Sequence, residues 1–85
     1  MPKSVFSGAH RYLVEALATA RKRSGLTQRE LAARVGKDQS YISLIENSQR
    51  RVDVLEFCAL ARAMGEDPTS LFSEIVRKLP AKFDV

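Results

Sequence analysis

From residue 9 onward the apolar positions of this chain recur with a helical period. Ala9, Leu13, Ala16, Leu17 and Ala20 follow the i, i+4, i+7, i+8, i+11 rhythm of one helix face. The spacing predicts a first helix that begins near Ser7 or Gly8 and closes at Gly25. Arg21, Lys22 and Arg23 fall in its last turn, where cations complement the helix dipole. The second helix is marked more sharply. Thr27 and Glu30 make a T-x-x-E capping box between Leu26 and Leu31, which hold the two hydrophobic-staple positions. The helix therefore starts at Gln28, turns Leu31, Ala32 and Val35 inward, and ends at Gly36. Two residues later Asp38 caps a third helix, Gln39 to Glu46, with Ile42 and Ile45 on its inner side.

The second half repeats these devices. Asp53 and Glu56 form another capping box, with Val52 and Phe57 as its staple, and the fourth helix is expected to bury Leu55, Cys58, Ala59, Leu60 and Met64 in some combination before Gly65. Asp67 followed by Pro68 opens a fifth helix carrying Leu71, Phe72, Ile75, Val76 and Leu79, and Pro80 closes it. Nothing reads as a core strand, although residues 81–85 suit a short extended tail. The fold class is all-α, a compact five-helix arrangement. A chain of 85 residues cannot divide its apolar surface between two cores, so residues 1–85 are expected to form a single domain with a tail at 80–85.

Composition narrows the chemistry. One cysteine excludes an internal disulfide, and one histidine has no second histidine or cysteine with which to build a zinc site, so neither metal nor cofactor is expected. Cys58, at a core spacing, suits a small hydrophobe. There is no nucleophile–base constellation, paired acidic motif or phosphate-cradling glycine loop, which argues against an enzyme. No run approaches the roughly 18 to 20 apolar residues of a membrane span, and Met1-Pro2-Lys3-Ser4 does not resemble a secretion signal, so a soluble cytoplasmic protein is expected. The net charge of +4 is modest, but residues 21–51 hold eight bases and three acids while residues 52–85 hold four and six. The middle of the chain suits a polyanion and the remainder does not.

Two short helices joined by a glycine-containing turn have the layout of a helix-turn-helix, whose second helix enters the major groove of DNA. Here the motif spans residues 27–46. The stretch Gly25-Leu26-Thr27-Gln28-Arg29-Glu30-Leu31-Ala32, then Val35-Gly36, then Ser40-Tyr41-Ile42-Ser43-Leu44-Ile45-Glu46-Asn47, resembles the lambdoid phage repressor and Cro family, also called the XRE family. The resemblance covers residues 9–77. It implies the lambda-repressor-like fold and a bacterial or phage setting. The chain departs from the pattern at Ser48, where a glycine commonly follows Glu-Asn; a left-handed residue is wanted there, and Asn47 is expected to supply it.

Successive helical residues turn by about 100°, so with Ile42 and Ile45 facing the core, Gln39, Ser40, Ser43 and Leu44 are left toward the bases, as the matching positions are in the family. Gln39 suits the N6 and N7 edge of adenine, Ser43 several bases, and Leu44 a thymine methyl group. The matching family residue of Gln28 bonds a phosphate and supports the first glutamine of the recognition helix, which implies contact between Gln28 and Gln39. Arg29, Tyr41, Asn47, Gln49, Arg50 and Arg51 are the remaining candidate phosphate contacts. Family members also place an ion pair at the positions of Arg21 and Glu46, tying the first helix to the end of the recognition helix.

One short recognition helix reads only a few base pairs, so a homodimer on a two-fold operator is expected. Phe72, Ile75, Val76, Leu79 and Phe83, with Val85, exceed what a small core needs and form the candidate interface. The function read from these features is a sequence-specific regulator of transcription on double-stranded DNA, acting as a repressor. The competing reading is an antitoxin whose helix-turn-helix autoregulates its operon while its C-terminal half binds a partner protein.

Overall fold

The computed structural model describes residues 8–84. Five helices run in the order α1 (His10–Arg23), α2 (Gln28–Arg34), α3 (Gln39–Glu46), α4 (Val54–Ala63) and α5 (Pro68–Lys78). Four of the five starts follow from side-chain caps. Thr27 and Asp53 each accept from the backbone N–H three residues on, while Glu30 and Glu56 return the bond to complete both capping boxes. Asp38 accepts from the Tyr41 N–H, and Asp67 accepts from the Ser70 N–H ahead of a helix whose first residue is Pro68.

The first helix starts at His10, later than the expected start near Ser7 or Gly8. Gly8 has φ +66°, which ends helical geometry there, and Ala9 offers no side-chain cap. Ser7 lies outside the described residues. The inward residues of α1 are Val14, Leu17 and Ala20, with Leu13 and Ala16 only partly covered. The stripe is broader than one face because α1 packs against α3, α4 and α5 together.

Helices α1 to α4 finish in the same way. The N–H two residues past the cap returns to the carbonyl of the last turn: Leu26 to Arg21, Lys37 to Ala32, Gln49 to Leu44 and Glu66 to Ala61, at 2.8–3.2 Å. This Schellman motif needs a left-handed residue directly after the cap. Glycine fills that place at positions 25, 36 and 65, but after α3 the residue is Ser48, at φ +57°. Asn47, expected to take the left-handed conformation, is instead the cap residue at φ −96°.

The core joins Leu17, Ala20, Leu31, Ala32, Ile42, Ile45, Phe57, Leu60, Ala61, Met64, Leu71 and Ile75 in one cluster. In α4 the expected inner face is corrected: Leu55 is 80% exposed and Ala59 is exposed, Cys58 is half-buried, and Phe57 and Ala61 point inward with Leu60 and Met64. Phe57 decides this register. Counting three, four and seven residues from it gives 60, 61 and 64, whereas Leu55 lies about 200° around the helix. In α5 the i, i+4 pair Leu71 and Ile75 is buried and Leu79 is partly covered. Phe72 and Val76 stay exposed, with Phe72 meeting Phe57 edge to face at 6.1 Å between centroids. Residues 79–84 form neither helix nor strand. Among the described residues no helix is long and apolar enough to cross a membrane.

Candidate nucleic-acid interface

Helix α3 is held by two inward isoleucines and a four-residue connection from α2. Ile42 and Ile45 are each 2% exposed, and Gly36 lets the chain reverse so that α2 and α3 pack together. With that face fixed, Gln39, Ser40, Leu44 and Asn47 are exposed and Ser43 is half-buried. Leu44 is 44% exposed, a large apolar side chain on an otherwise polar ridge. Ser40 donates its hydroxyl proton to Asp38, and Asn47 Nδ2 donates to Ser43 Oγ at 3.3 Å. The Asp38 carboxyl is held below its usual range, first by the Ser40 hydroxyl and then by the Tyr41 N–H. Its charge thus stays fixed at the start of α3, where it satisfies the helix end.

A shallow cleft beside α3 is lined by Arg21, Thr27, Gln28, Arg29 and Gln39. Three of its lining residues, Arg21, Gln28 and Gln39, belong to a hydrogen-bonded line across three helices that passes through Glu46. Arg21 donates through Nε to Glu46 Oε2 at 2.7 Å and through Nη2 to Oε1 at 3.0 Å. Its Nη1 reaches the Leu26 carbonyl at 2.9 Å. Gln28 Nε2 donates to Glu46 Oε1 at 3.0 Å, and Gln39 Nε2 donates to Gln28 Oε1 at 3.3 Å. The Arg21 and Glu46 side chains are only 12% and 11% exposed. Burial alone would push the Glu46 carboxyl up, but the bonds from Arg21 and Gln28 and the Arg21 charge outweigh it and hold the group below its usual range.

The loop after α3 contains a second cluster. Arg50 donates to both oxygens of Glu56 at 3.1 and 2.8 Å, and its guanidinium lies 4.7 Å from the centroid of the Tyr41 ring. Lys37 approaches the same ring at 5.6 Å. Glu56 is shifted to about 2, foremost by Arg50 and then by the Asp53 N–H. Burial raises the Tyr41 hydroxyl above its ordinary range. Arg50 and Tyr41 therefore fasten the loop to the start of α4, in a geometry that engages the guanidinium within the protein. Arg29 and Arg51 are exposed, and Gln49 is half-buried. The Lys37 contact and the second role of Glu56 are absent from the sequence reading. A base one residue before the Asp38 cap, and an acid six residues after Arg50, are the faint signals for them.

Of the candidate interface residues on α5 and the tail, Phe72, Val76 and Phe83 are exposed. Ile75, expected on that surface, is 5% exposed and belongs to the chain's own core, and Leu79 packs partly against it. Val85 lies outside the described residues. Val54 and Leu55, at 76% and 80% exposure, add apolar surface at the start of α4.

The helix-turn-helix family pattern matches residues 17–71. An XRE-family-like protein from Pseudomonas syringae superposes with a TM-score of 0.78 at 43% identity, covering 85% of this chain and 88% of its own. A restriction-modification controller protein from Aeromonas hydrophila superposes at 0.67 with 33% identity, over 74% of this chain and 96% of that one. A curated relative from Sinorhizobium fredii, an uncharacterised helix-turn-helix-type transcriptional regulator, is 42% identical over 48 residues. That match covers 56% of this chain and 62% of the relative's length. With well over half of its length inside the family pattern and an 85% superposition on an XRE-type relative, the chain belongs to the XRE-type helix-turn-helix family.

Proposed function

We propose that this protein is a sequence-specific regulator of transcription that binds double-stranded DNA as a homodimer and represses from its operator. The observation that carries this is the division of α3: Ile42 and Ile45 are sealed in the core while Gln39, Ser40, Leu44 and Asn47 stand exposed along the opposite side. A helix held so firmly on one side and so polar on the other suits the major groove, where base edges carry a distinct donor and acceptor code. Gln39 reads adenine, Ser40 and Ser43 read hydrogen-bonding edges, and Leu44 meets a thymine methyl group. Gln28, Arg29, Asn47, Gln49 and Arg51 contact phosphates, which position the helix without specifying sequence. Tyr41 and Arg50 act by ordering the loop that carries Gln49 and Arg51.

Dimerisation supplies the second half-site, about 34 Å away on the duplex. Among the described residues, Phe72, Val76 and Phe83, joined by Val54 and Leu55, are exposed apolar side chains available for it. The names of relatives, a transcriptional regulator and a restriction-modification controller, fit a regulatory role. Binding to bacterial or phage DNA places the protein in the cytoplasm.

The test is selection from a pool of random duplexes with the purified protein at two salt concentrations, followed by sequencing. A two-fold-symmetric site is expected, with affinity falling by about 0.9 log unit per log unit of salt for each phosphate contacted. Weak binding blind to sequence at both salts would overturn this reading and turn attention to a partner protein and the antitoxin role.

A further inference from the structure

The line Arg21–Glu46–Gln28–Gln39 runs from a nearly buried ion pair to the exposed tip of α3, and every link in it has a chemically forced direction. A guanidinium only donates, and an ionised carboxylate only accepts. Held by two bonds from Arg21, Glu46 must receive a hydrogen from Gln28, so the Gln28 amide turns its nitrogen toward Glu46 at 3.0 Å. Its oxygen is thereby left for Gln39, which answers with Nε2 at 3.3 Å. Reversing the Gln39 amide would set two carbonyl oxygens against each other.

We infer that Glu46 is a positioning residue for base recognition: through Gln28 it fixes the order of acceptor and donor that Gln39 presents to the groove. The inference rests on α3 reading DNA. One Nε2 hydrogen of Gln39 is spent on Gln28, while its second hydrogen and its oxygen remain to face a base. Adenine shows an acceptor, N7, beside a donor, N6, and matches one order of those two atoms. An amide free to rotate would present both orders and discriminate less. Glu46 does this without reaching the DNA, since its side chain is 11% exposed and its stem borders the core beside Leu17, Leu31 and Ile45.

Glu46→Gln keeps the size of the side chain but makes it able to donate as well as accept, which removes the direction of the line. The probes are the consensus duplex selected by the wild-type protein and its three base-pair replacements at the position whose preference disappears in Gln39→Ala. Wild type should favour its base pair there by roughly 5- to 150-fold, the range of a bidentate contact. Glu46→Gln should retain less than about threefold at that position, with preferences elsewhere changed less than about twofold. Gln28→Met, which leaves the ion pair in place, should relax the same position. Should Glu46→Gln fail to fold, Arg21→Met/Glu46→Gln replaces it, because that variant leaves no uncompensated charge. A folded variant that loses affinity evenly across sequences, or keeps the wild-type preference at that position, would reduce Glu46 to a purely structural residue and overturn the inference. Wild-type protein that selects no consensus at all would instead overturn the DNA-reading function beneath it.

Discussion

Replacing Glu46 by alanine isolates the ion pair that joins α1 to the end of α3. The substitution removes two charge-assisted hydrogen bonds of 2.7 and 3.0 Å and the acceptor of Gln28 Nε2. It leaves the Arg21 guanidinium, 12% exposed, with the Leu26 carbonyl at 2.9 Å as its remaining bond. Breaking a fully buried pair costs about 3 to 5 kcal/mol because a charge is left uncompensated. Here the residual exposure and the Leu26 carbonyl soften the loss, so the lower end, about 3 kcal/mol, is expected. For a domain of this size that corresponds to a fall in Tm of roughly 12 to 24 °C. Thermal and urea unfolding followed by far-ultraviolet circular dichroism measure it directly. The double variant Arg21→Met/Glu46→Leu, with no charge to strand, should return to within about 1 kcal/mol of wild type. A Glu46→Ala protein melting within about 2 °C of wild type would refute the reasoning and show that water replaces the carboxylate.

Three further outcomes are expected. Ser48→Gly should raise stability by about 0.5 to 1 kcal/mol in urea titrations, since a left-handed conformation costs an L-residue roughly 1 to 2 kcal/mol and glycine gives part of this back in unfolded-state entropy; no gain would mean the serine is not strained. Acid should destabilise the protein in a defined window. The folded pKa values of Glu46 and Glu56 lie below their unfolded value, so their contribution is complete above about pH 4.3 and is lost as pH falls through the folded values, about 2 for Glu56. Glu56→Gln should flatten that limb in unfolding measured between pH 5 and 2, and an unchanged limb would count against the Arg50–Glu56 pair. Leu55→Lys, at an 80% exposed position, should weaken self-association at least about tenfold in equilibrium sedimentation while leaving the fold within about 0.5 kcal/mol; undiminished association would place the dimer contact elsewhere.

Helices α2 to α5 were legible because each carries its own start signal: two capping boxes, the Asp38 cap and Asp67-Pro68. The start of α1 was not, since Ala9 caps it with backbone alone. In α4 the sequence Val54-Leu55-Glu56-Phe57-Cys58-Ala59-Leu60 is apolar on nearly every side. Periodicity cannot orient such a helix, and only packing of the large Phe57 ring chooses the face. Asparagine tolerates the left-handed region better than serine, yet at the end of α3 the motif's hydrogen-bond register fixes the site one residue beyond the cap, so Ser48 takes it regardless of preference. The outward side of α3 was readable from Ile42 and Ile45. The pairing of Arg50 was not, because Glu56 already had a role as a capping residue. A carboxylate has two oxygens, and Oε1 serves the Asp53 N–H and Arg50 together.

The side chains of α3 proposed to face the groove differ in how closely they are coupled to the rest of the molecule. Ser43 and Leu44 bond to no other helix through their side chains among the contacts described, whereas Gln39 connects through Gln28 to the pair that secures α1. A lineage acquiring a new operator can therefore exchange residues 43 and 44 one at a time without breaking a side-chain bond between helices. If Glu46 orients Gln39 as proposed, a new preference at position 39 calls for matching changes at positions 28 and 46. On the proposed reading, the part of the recognition code at positions 43 and 44 is open to gradual drift, and the part at position 39 is inherited with the fold.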